Sequence, residues 1–334
     1  MQVVFYRAPK GNFGDDLNEV LWRHVLPKKV LGSDRLVLIG IGSILNNNHV
    51  GQYVADRRHV VVLGSGTAYG APPSDLSRWL VKAVRGPITA ALIGRPEASV
   101  TDGAALLALA PQLIGPARDR RKVLFIPHHG SLAFGRWSEV AAKCGFDFVS
   151  PQLSVPEVLA KFAEAKLVVT EAMHGAIIAD TLRIPWVPAI ASPAIDEFKW
   201  RDWTRSLELS FMPRRLLPSS ARETVWHHRL RRRYQAAGVD GFDRLELVDH
   251  SQGYADHLEA REAVFRNGKR SLVARGSDLS RRGVLAMFED AILQRSADAL
   301  GAAARATPFL SDDKIFRDRL NRLQEAAGSL EALA

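Results

Sequence analysis

Cysteine is nearly absent from this sequence: Cys144 is the only one in 334 residues. No intrachain disulfide can form, and neither a cysteine-built zinc site nor an iron-sulfur cluster can be assembled, so a reducing compartment is expected. Long apolar runs are lacking as well. The stretch from Gly103 to Ile114 is short and broken by Pro111, whereas a membrane span needs about 20 mostly apolar residues. The opening MQVVFYRAPKGNFGDD has no basic leader ahead of an apolar core, which makes a soluble, cytoplasmic protein the expectation. Neither a G-x-G-x-x-G fingerprint nor a phosphate-loop lysine motif is present, and the histidines lack zinc-ligand spacing. No cofactor and no metal are expected.

What is there is an ordinary globular composition, 47% hydrophobic and 24% charged residues, in a length that suggests two domains at roughly 100 to 200 residues each. Lys and Arg exceed Asp and Glu by 45 to 36, a net charge of +9. The excess is local. Between Lys199 and Arg233 ten basic residues meet only Asp202, Glu208 and Glu223, so this segment carries +7. It reads either as a solvated face or as a patch for an anionic surface.

The first half follows α/β grammar, in which short aliphatic runs end in glycine turns and helix-compatible stretches follow. Strands are expected from Gln2 to Tyr6, Leu36 to Ile41, Val60 to Leu63 and Ala98 to Thr101, with a turn from Gly11 to Asp16 and a helix from Leu17 to Val25. These runs are apolar on both faces, as in a parallel sheet covered by helices. From Lys122 the pattern restarts: VLFIPHHG, a helix from Trp137 to Cys144, FDFVSP, a helix capped by Ser154 and Glu157, KLVVTEAMHG, a helix from Ala176 to Leu182, and PWVPAI. Two such units, linked over Pro116 to Arg121, place a cleft at the carboxyl ends of their strands. After Pro213 the chain reads as helices, from Thr224 to Ala237, Tyr254 to Arg266, Asp278 to Arg295 and Asp312 to Leu333. They form either a third module or braces against both sheets. The expected division is 1–117, 118–213 and a helical extension over 214–334.

Chemistry-bearing residues gather at the strand ends. In GNFGDDLN the amides of Asn12 and Gly14 suit an anion, and Asp15 and Asn18 suit hydroxyls, although the same residues make an ordinary capped turn. GIGS and GSGT, the latter containing Gly66, repeat the device. Arg85 precedes a Gly-Pro helix start and is well presented to phosphate or carboxylate; as an ion pair, its candidate partner is Asp102. His128 and His129 follow one strand, Glu171 and His174 another. Of the adjacent histidines, one caps or packs while the other faces the cleft. Histidine is the side chain best suited to proton transfer near neutrality.

The motifs GNFGDDLN, GIGS, VLGSGT, VRGPIT, TDGA and VVTEAMHGAIIADTLRIPWVP, in that order, resemble the polysaccharide pyruvyl transferases. The resemblance spans about Val4 to Leu209 and is nearest to the exopolysaccharide, succinoglycan-type members. It implies two Rossmann-like domains in a GT-B-like arrangement, and an enzyme that moves a pyruvyl group from phosphoenolpyruvate to a sugar as a cyclic ketal. Acceptors in this family are typically lipid-linked oligosaccharides at the inner membrane, which implies a saccharide partner and peripheral membrane contact through the basic segment. The family's histidine falls on His174 and its RGP arginine on Arg85. Many members carry an arginine where Ala172 stands here, and Lys199, Arg201 or His128 is the candidate replacement. On this reading His174, partly protonated near a pKa of about 6.5, protonates the methylene carbon. Asp15 or Glu171 orients or deprotonates the acceptor hydroxyl, and Asn12, Gly14, Gly66, Arg85, His128, His129 and Lys199 bind substrate.

Two other readings share some of these features. A GT-B glycosyltransferase with a nucleotide-sugar donor would have the same cleft and glycine turns but would release a nucleoside diphosphate. A basic nucleic-acid binder has the charge but no recognisable module or stacking motif, so no nucleic-acid partner is expected.

Overall fold

The computed structural model describes residues 1–53, 58–73, 75–116, 119–239, 258–264 and 288–334. Strands β1 (Gln2–Val4), β2 (Leu36–Ile39), β3 (His59–Ser65) and β4 (Leu80–Val84) pair in parallel in that order. Helices α1 (Phe13–Val20), α2 (Trp22–Val25) and α3 (Lys28–Gly32) connect β1 to β2, α4 (Asn47–Val50) follows β2, and α5 (Pro87–Leu92) follows β4. Side chains alternate into two apolar layers. Leu36, Leu38, Val61 and Leu63 pack with Leu17, Leu21 and Trp22; Val37, Ile39, Val60 and Val62 pack with Leu45, Val50 and Ala90. A strand apolar at every position is thereby buried on both faces.

Two local expectations change. The strand from Ala98 to Thr101 shrinks to one bridge between Val84 and Ser99, because a 3₁₀ turn over Pro96–Ala98 leads into it. The expected turn from Gly11 to Asp16 is mostly helix: α1 begins at Phe13, and the Asp16 carboxylate accepts from the Asn12 amide at 2.9 Å.

The second sheet contains β5 (Lys122–Ile126), β6 (Asp147–Phe148), β7 (Ala165–Thr170), β8 (Trp186–Ile190) and β9 (Arg214–Arg215), all parallel, in the order β6-β5-β7-β8-β9. Its helices are α6 (Trp137–Lys143), α7 (Val155–Phe162), α8 (Met173–Thr181) and α9 (Glu197–Ser206). The Glu157 carboxylate accepts from the Ser154 amide at 2.9 Å, as its capping box requires. Strand order reverses at β5, so the carboxyl ends of β5 and β7 form a switch point where open α/β sheets take ligands. The first sheet, running β1 to β4 in sequence, has no such reversal. The second sheet also reaches Arg215, two residues beyond its expected end.

The tail braces both sheets. Helix α10 (Ala221–Ala236) is followed, among the described residues, by helical residues 258–264, by α11 (Glu289–Ala304) and by α12 (Asp313–Gly328). Leu293, Ala297 and Leu300 of α11 pack with Phe125, Trp137 and Val187 of the second half. Helix α12 lies against β3 and β4, with Phe316, Leu323 and Ala327 in the main core. Of the expected helices from Tyr254 and Asp278, residues 254–257, 265–266 and 278–287 lie outside the described residues, as do linker residues 117–118. The halves meet where the Phe13 amide donates to the Pro151 carbonyl at 3.0 Å and α8 packs on the turn over Gly103–Leu109.

Candidate active site

His174 is the second residue of α8 and comes from the second half, yet its ring lies on α1 of the first: a Cβ added at Gly14 would stand 2.1 Å from its Nδ1. Only glycine leaves room for the ring against this turn of α1. Its Nε2 is 4.0 Å from Asp102 Oδ1. His174 Nε2 and Asp102 Oδ2 are both buried without a hydrogen-bond partner, a cost natural structures rarely carry unless a ligand relieves it.

Burial, then Lys199 and then Arg85, push the His174 imidazole down to about 3, and the amide dipoles at the start of α8 act in the same sense. The expectation of a partly protonated His174 is therefore corrected: in the free protein it is neutral near pH 7. Asp15 moves the other way. Burial raises its carboxyl to about 7 against the opposing pull of Lys199 and of Asn12, whose Nδ2 donates to Oδ2 at 2.6 Å. Burial likewise raises Asp102 to about 6, opposed by the Ala104 amide and by Arg85. In this cluster Asp15 is about half protonated at neutrality, Asp102 is mostly ionised and the imidazole is neutral.

Arg85 follows β4 and is fully buried. Its Nε donates to Asp202 Oδ2 at 3.1 Å, Nη1 to Ser43 Oγ at 2.5 Å and Nη2 to the Thr67 carbonyl at 2.8 Å. Gly66 leaves room for the guanidinium, since a Cβ there would stand 2.3 Å from Cζ. The partner is thus Asp202 of α9 and not Asp102. Asp202 also caps α5, accepting from the Ile88 and Thr89 amides at 2.9 Å.

Lys199, also on α9, directs Nζ to the Tyr69 hydroxyl at 2.8 Å. Its charge acts on both Asp15 and His174. Of the other candidates to replace an arginine at Ala172, Arg201 faces Glu197 at 3.8 Å and the Phe211 ring at 6.0 Å. His128 Nδ1 accepts from the Gly130 amide at 3.1 Å, so it is the capping member of its pair, and its ring lies 4.2 Å from that of His129.

A family model for polysaccharide pyruvyl transferases matches residues 113–192. Over 327 residues the chain is 31% identical to the succinoglycan biosynthesis protein ExoV of Rhizobium meliloti (strain 1021), covering 97% of this chain and 96% of that protein. The chain belongs to the polysaccharide pyruvyl transferase family. It is accordingly a pyruvyl transferase, and the likeness runs through the helical tail as well as the motifs. No solved structure gives a significant match. Among the described residues no helix is long and apolar enough to cross a membrane, and no three His, Cys, Asp or Glu side chains converge as metal ligands would.

Two residues of this pyruvyl transferase that the sequence offered as hydroxyl partners have other work. Glu171 accepts four hydrogen bonds, from the His128 and Ser131 side of the β5 loop and from the Ala191 and Ser192 amides after β8. A carboxylate so occupied at both oxygens ties three strand ends together. Asn18 similarly bridges α1 to the Ile41 backbone and the Trp22 ring nitrogen. Asp202 and Tyr69, by contrast, escaped the motif reading. For Asp202 a signal existed: an acid flanked by Trp200, Arg201 and Trp203 in one helix is a charge bound for the core, where it must be paired.

Proposed function

We propose that this enzyme transfers the pyruvyl group of phosphoenolpyruvate to a sugar of an exopolysaccharide repeat unit, closing a cyclic ketal between the lobes of a GT-B-like arrangement. The observation that carries this reading is the pair His174 and Asp102, drawn from opposite halves to 4.0 Å and each holding an unpartnered buried atom, beside Asp15, Arg85 and Lys199. The role of the Rhizobium relative, succinoglycan biosynthesis, supports the acceptor class.

The reaction asks for one proton on carbon and the loss of two from hydroxyls. Asp15, protonated near neutrality, gives its proton to the methylene carbon, and C2 becomes electrophilic. Neutral His174 takes the proton of the first sugar hydroxyl as that oxygen bonds to C2, with Asp102 beside the imidazolium that forms. The C2–O bond to phosphate breaks, the second hydroxyl adds, and the ketal closes. One hydroxyl proton restores Asp15 and the other leaves on hydrogen phosphate, so atoms and charge balance. Arg85, Lys199 and the Gly14 amide, the Asn12 and Phe13 amides being taken by Asp16 and Pro151, suit the anionic donor. Phosphate release from phosphoenolpyruvate that depends on a saccharide acceptor tests the reading; release of a nucleoside diphosphate from a nucleotide sugar would replace it.

The same proposal includes a lipid-linked acceptor and peripheral membrane contact. Arg222, Val225, Arg229 and Arg232 recur on one exposed face of α10, and Met212, Arg214, Arg215 and Leu217 are exposed just before it. Arginines mixed with apolar side chains suit an anionic bilayer surface.

A further inference from the structure

Three consecutive asparagines after β2 reach across to the turn that follows β3. Asn46 Nδ2 donates to the Ala68 carbonyl at 2.9 Å, the Asn47 amide to Ala71 at 2.9 Å and its Nδ2 to Pro72 at 3.3 Å, and Asn48 Nδ2 to Tyr69 at 3.3 Å. They hold Tyr69 at φ +59°, in the left-handed region that a tyrosine rarely adopts. Such strain persists only where the surroundings enforce it, and it collects at functional sites.

What the strained turn delivers is the phenol. Its oxygen lies 2.8 Å from Lys199 Nζ, and its ring centroid 5.3 Å from that ammonium. Tyr69 comes from the first half and Lys199 from the second, so the contact spans the cleft. An ammonium has three N–H donors; Tyr69 takes one, and among the described residues no other hydrogen bond or ion pair holds Lys199. The lysine is only 9% exposed, and its charge acts on both Asp15 and His174, so the ammonium belongs to the site.

We propose that Tyr69 is a positioning residue: it holds the Lys199 ammonium so that the two remaining N–H groups meet a carboxylate or phosphate of the donor. The proposal rests on the phosphoenolpyruvate reading above and names the clasp that would serve it where Ala172 leaves no arginine. The full-length enzyme, its Tyr69→Phe, Lys199→Met and double variants, and Asn48→Ala are compared by calorimetric binding of phosphoenolpyruvate and by steady-state kinetics. Tyr69→Phe is expected to raise the donor Kd and KM about tenfold, the scale of a hydrogen bond to a charged group. The acceptor KM and kcat stay within about twofold, as for lost uniform binding of the donor. In the Lys199→Met background the phenylalanine adds nothing, and Asn48→Ala, which loosens the turn without touching the ring, weakens the donor in the same direction but less. Additive effects, or unchanged donor affinity in Tyr69→Phe while wild type binds, overturn the clasp and leave the donor assignment standing. Wild-type enzyme that does not bind phosphoenolpyruvate overturns both.

Discussion

Arg85 and Asp202, 117 positions apart, form a fully buried ion pair at 3.1 Å that joins the end of β4 to α9. The same carboxylate caps α5 through two amides and the Thr89 hydroxyl. One side chain therefore neutralises a buried cation, finishes a helix and fastens the two halves beside the site.

Removing it should be costly. Asp202→Ala leaves the guanidinium buried and unpaired, and breaking such a pair costs about 3–5 kcal/mol. Denaturant unfolding should show a drop of that order, with Asp202→Asn, which keeps one acceptor for the α5 amides, falling less. An alanine variant as stable as wild type would mean that Arg85 finds water or another partner.

Close approach sets a second expectation. Gly14→Ala drives a methyl group into the His174 ring and Gly66→Ala drives one into the Arg85 guanidinium. Overpacking of this kind costs about 1–3 kcal/mol, and the displaced groups are those the proposed chemistry uses, so activity should fall far more than stability. Gly32→Ala is the control. It meets nothing within 4 Å in α3, and should be neutral or stabilising by up to about 1 kcal/mol with activity intact. Equal losses in all three variants would contradict the placement of the ring and the guanidinium.

The parallel sheets were legible because strands such as Leu36–Ile39 and His59–Ser65 are apolar at successive positions, and the capping box at Ser154 because its partner is three residues away. The candidate site was legible where residues sit close behind strands, as Arg85 does after β4 and His174 after β7, or in the first turn of a helix, as Asp15 does in α1. What the sequence could not reveal depends on distance. Asp202 lies inside a stretch dominated by arginines, Tyr69 stands two residues past GSGT with nothing in the sequence to link it to Lys199, and Asp102 ends a run near Arg85 while the true partner comes from α9. The direction of the proton was hidden for the same reason: burial and Lys199, neither local to residue 174, hold that imidazole neutral.

Arg222, Arg229 and Arg232 make no ion pair among the described residues and are exposed on one face of α10. Near an anionic bilayer each contributes ~1 kcal/mol, screened over a Debye length of about 8–10 Å at physiological salt. The protein should therefore co-sediment with vesicles containing phosphatidylglycerol, lose that binding in high salt, and lose most of it when the three arginines become glutamate. Sedimentation indifferent to lipid charge would reduce the stripe to a solvated face; retention on DNA in place of vesicles would assign it to nucleic acid.

The pH dependence separates the two directions of proton flow. Asp15 titrates near 7 in the folded protein against 3.8 as an ordinary carboxyl. Its protonated form favours the fold, a contribution complete below about 4 and lost as pH rises through 7. His174, at about 3 against an ordinary 6.5, contributes stability that is present above 6.5 and lost as pH falls toward 3. For activity, a donor carboxyl gives kcat/KM an alkaline limb near pH 7, and His174 adds no acid limb above about 4. Asp15→Asn should lower the rate by about 10² to 10⁴ and erase the alkaline limb from whatever activity persists. A limb that survives in Asp15→Asn and disappears in His174→Gln would return the proton to the imidazole.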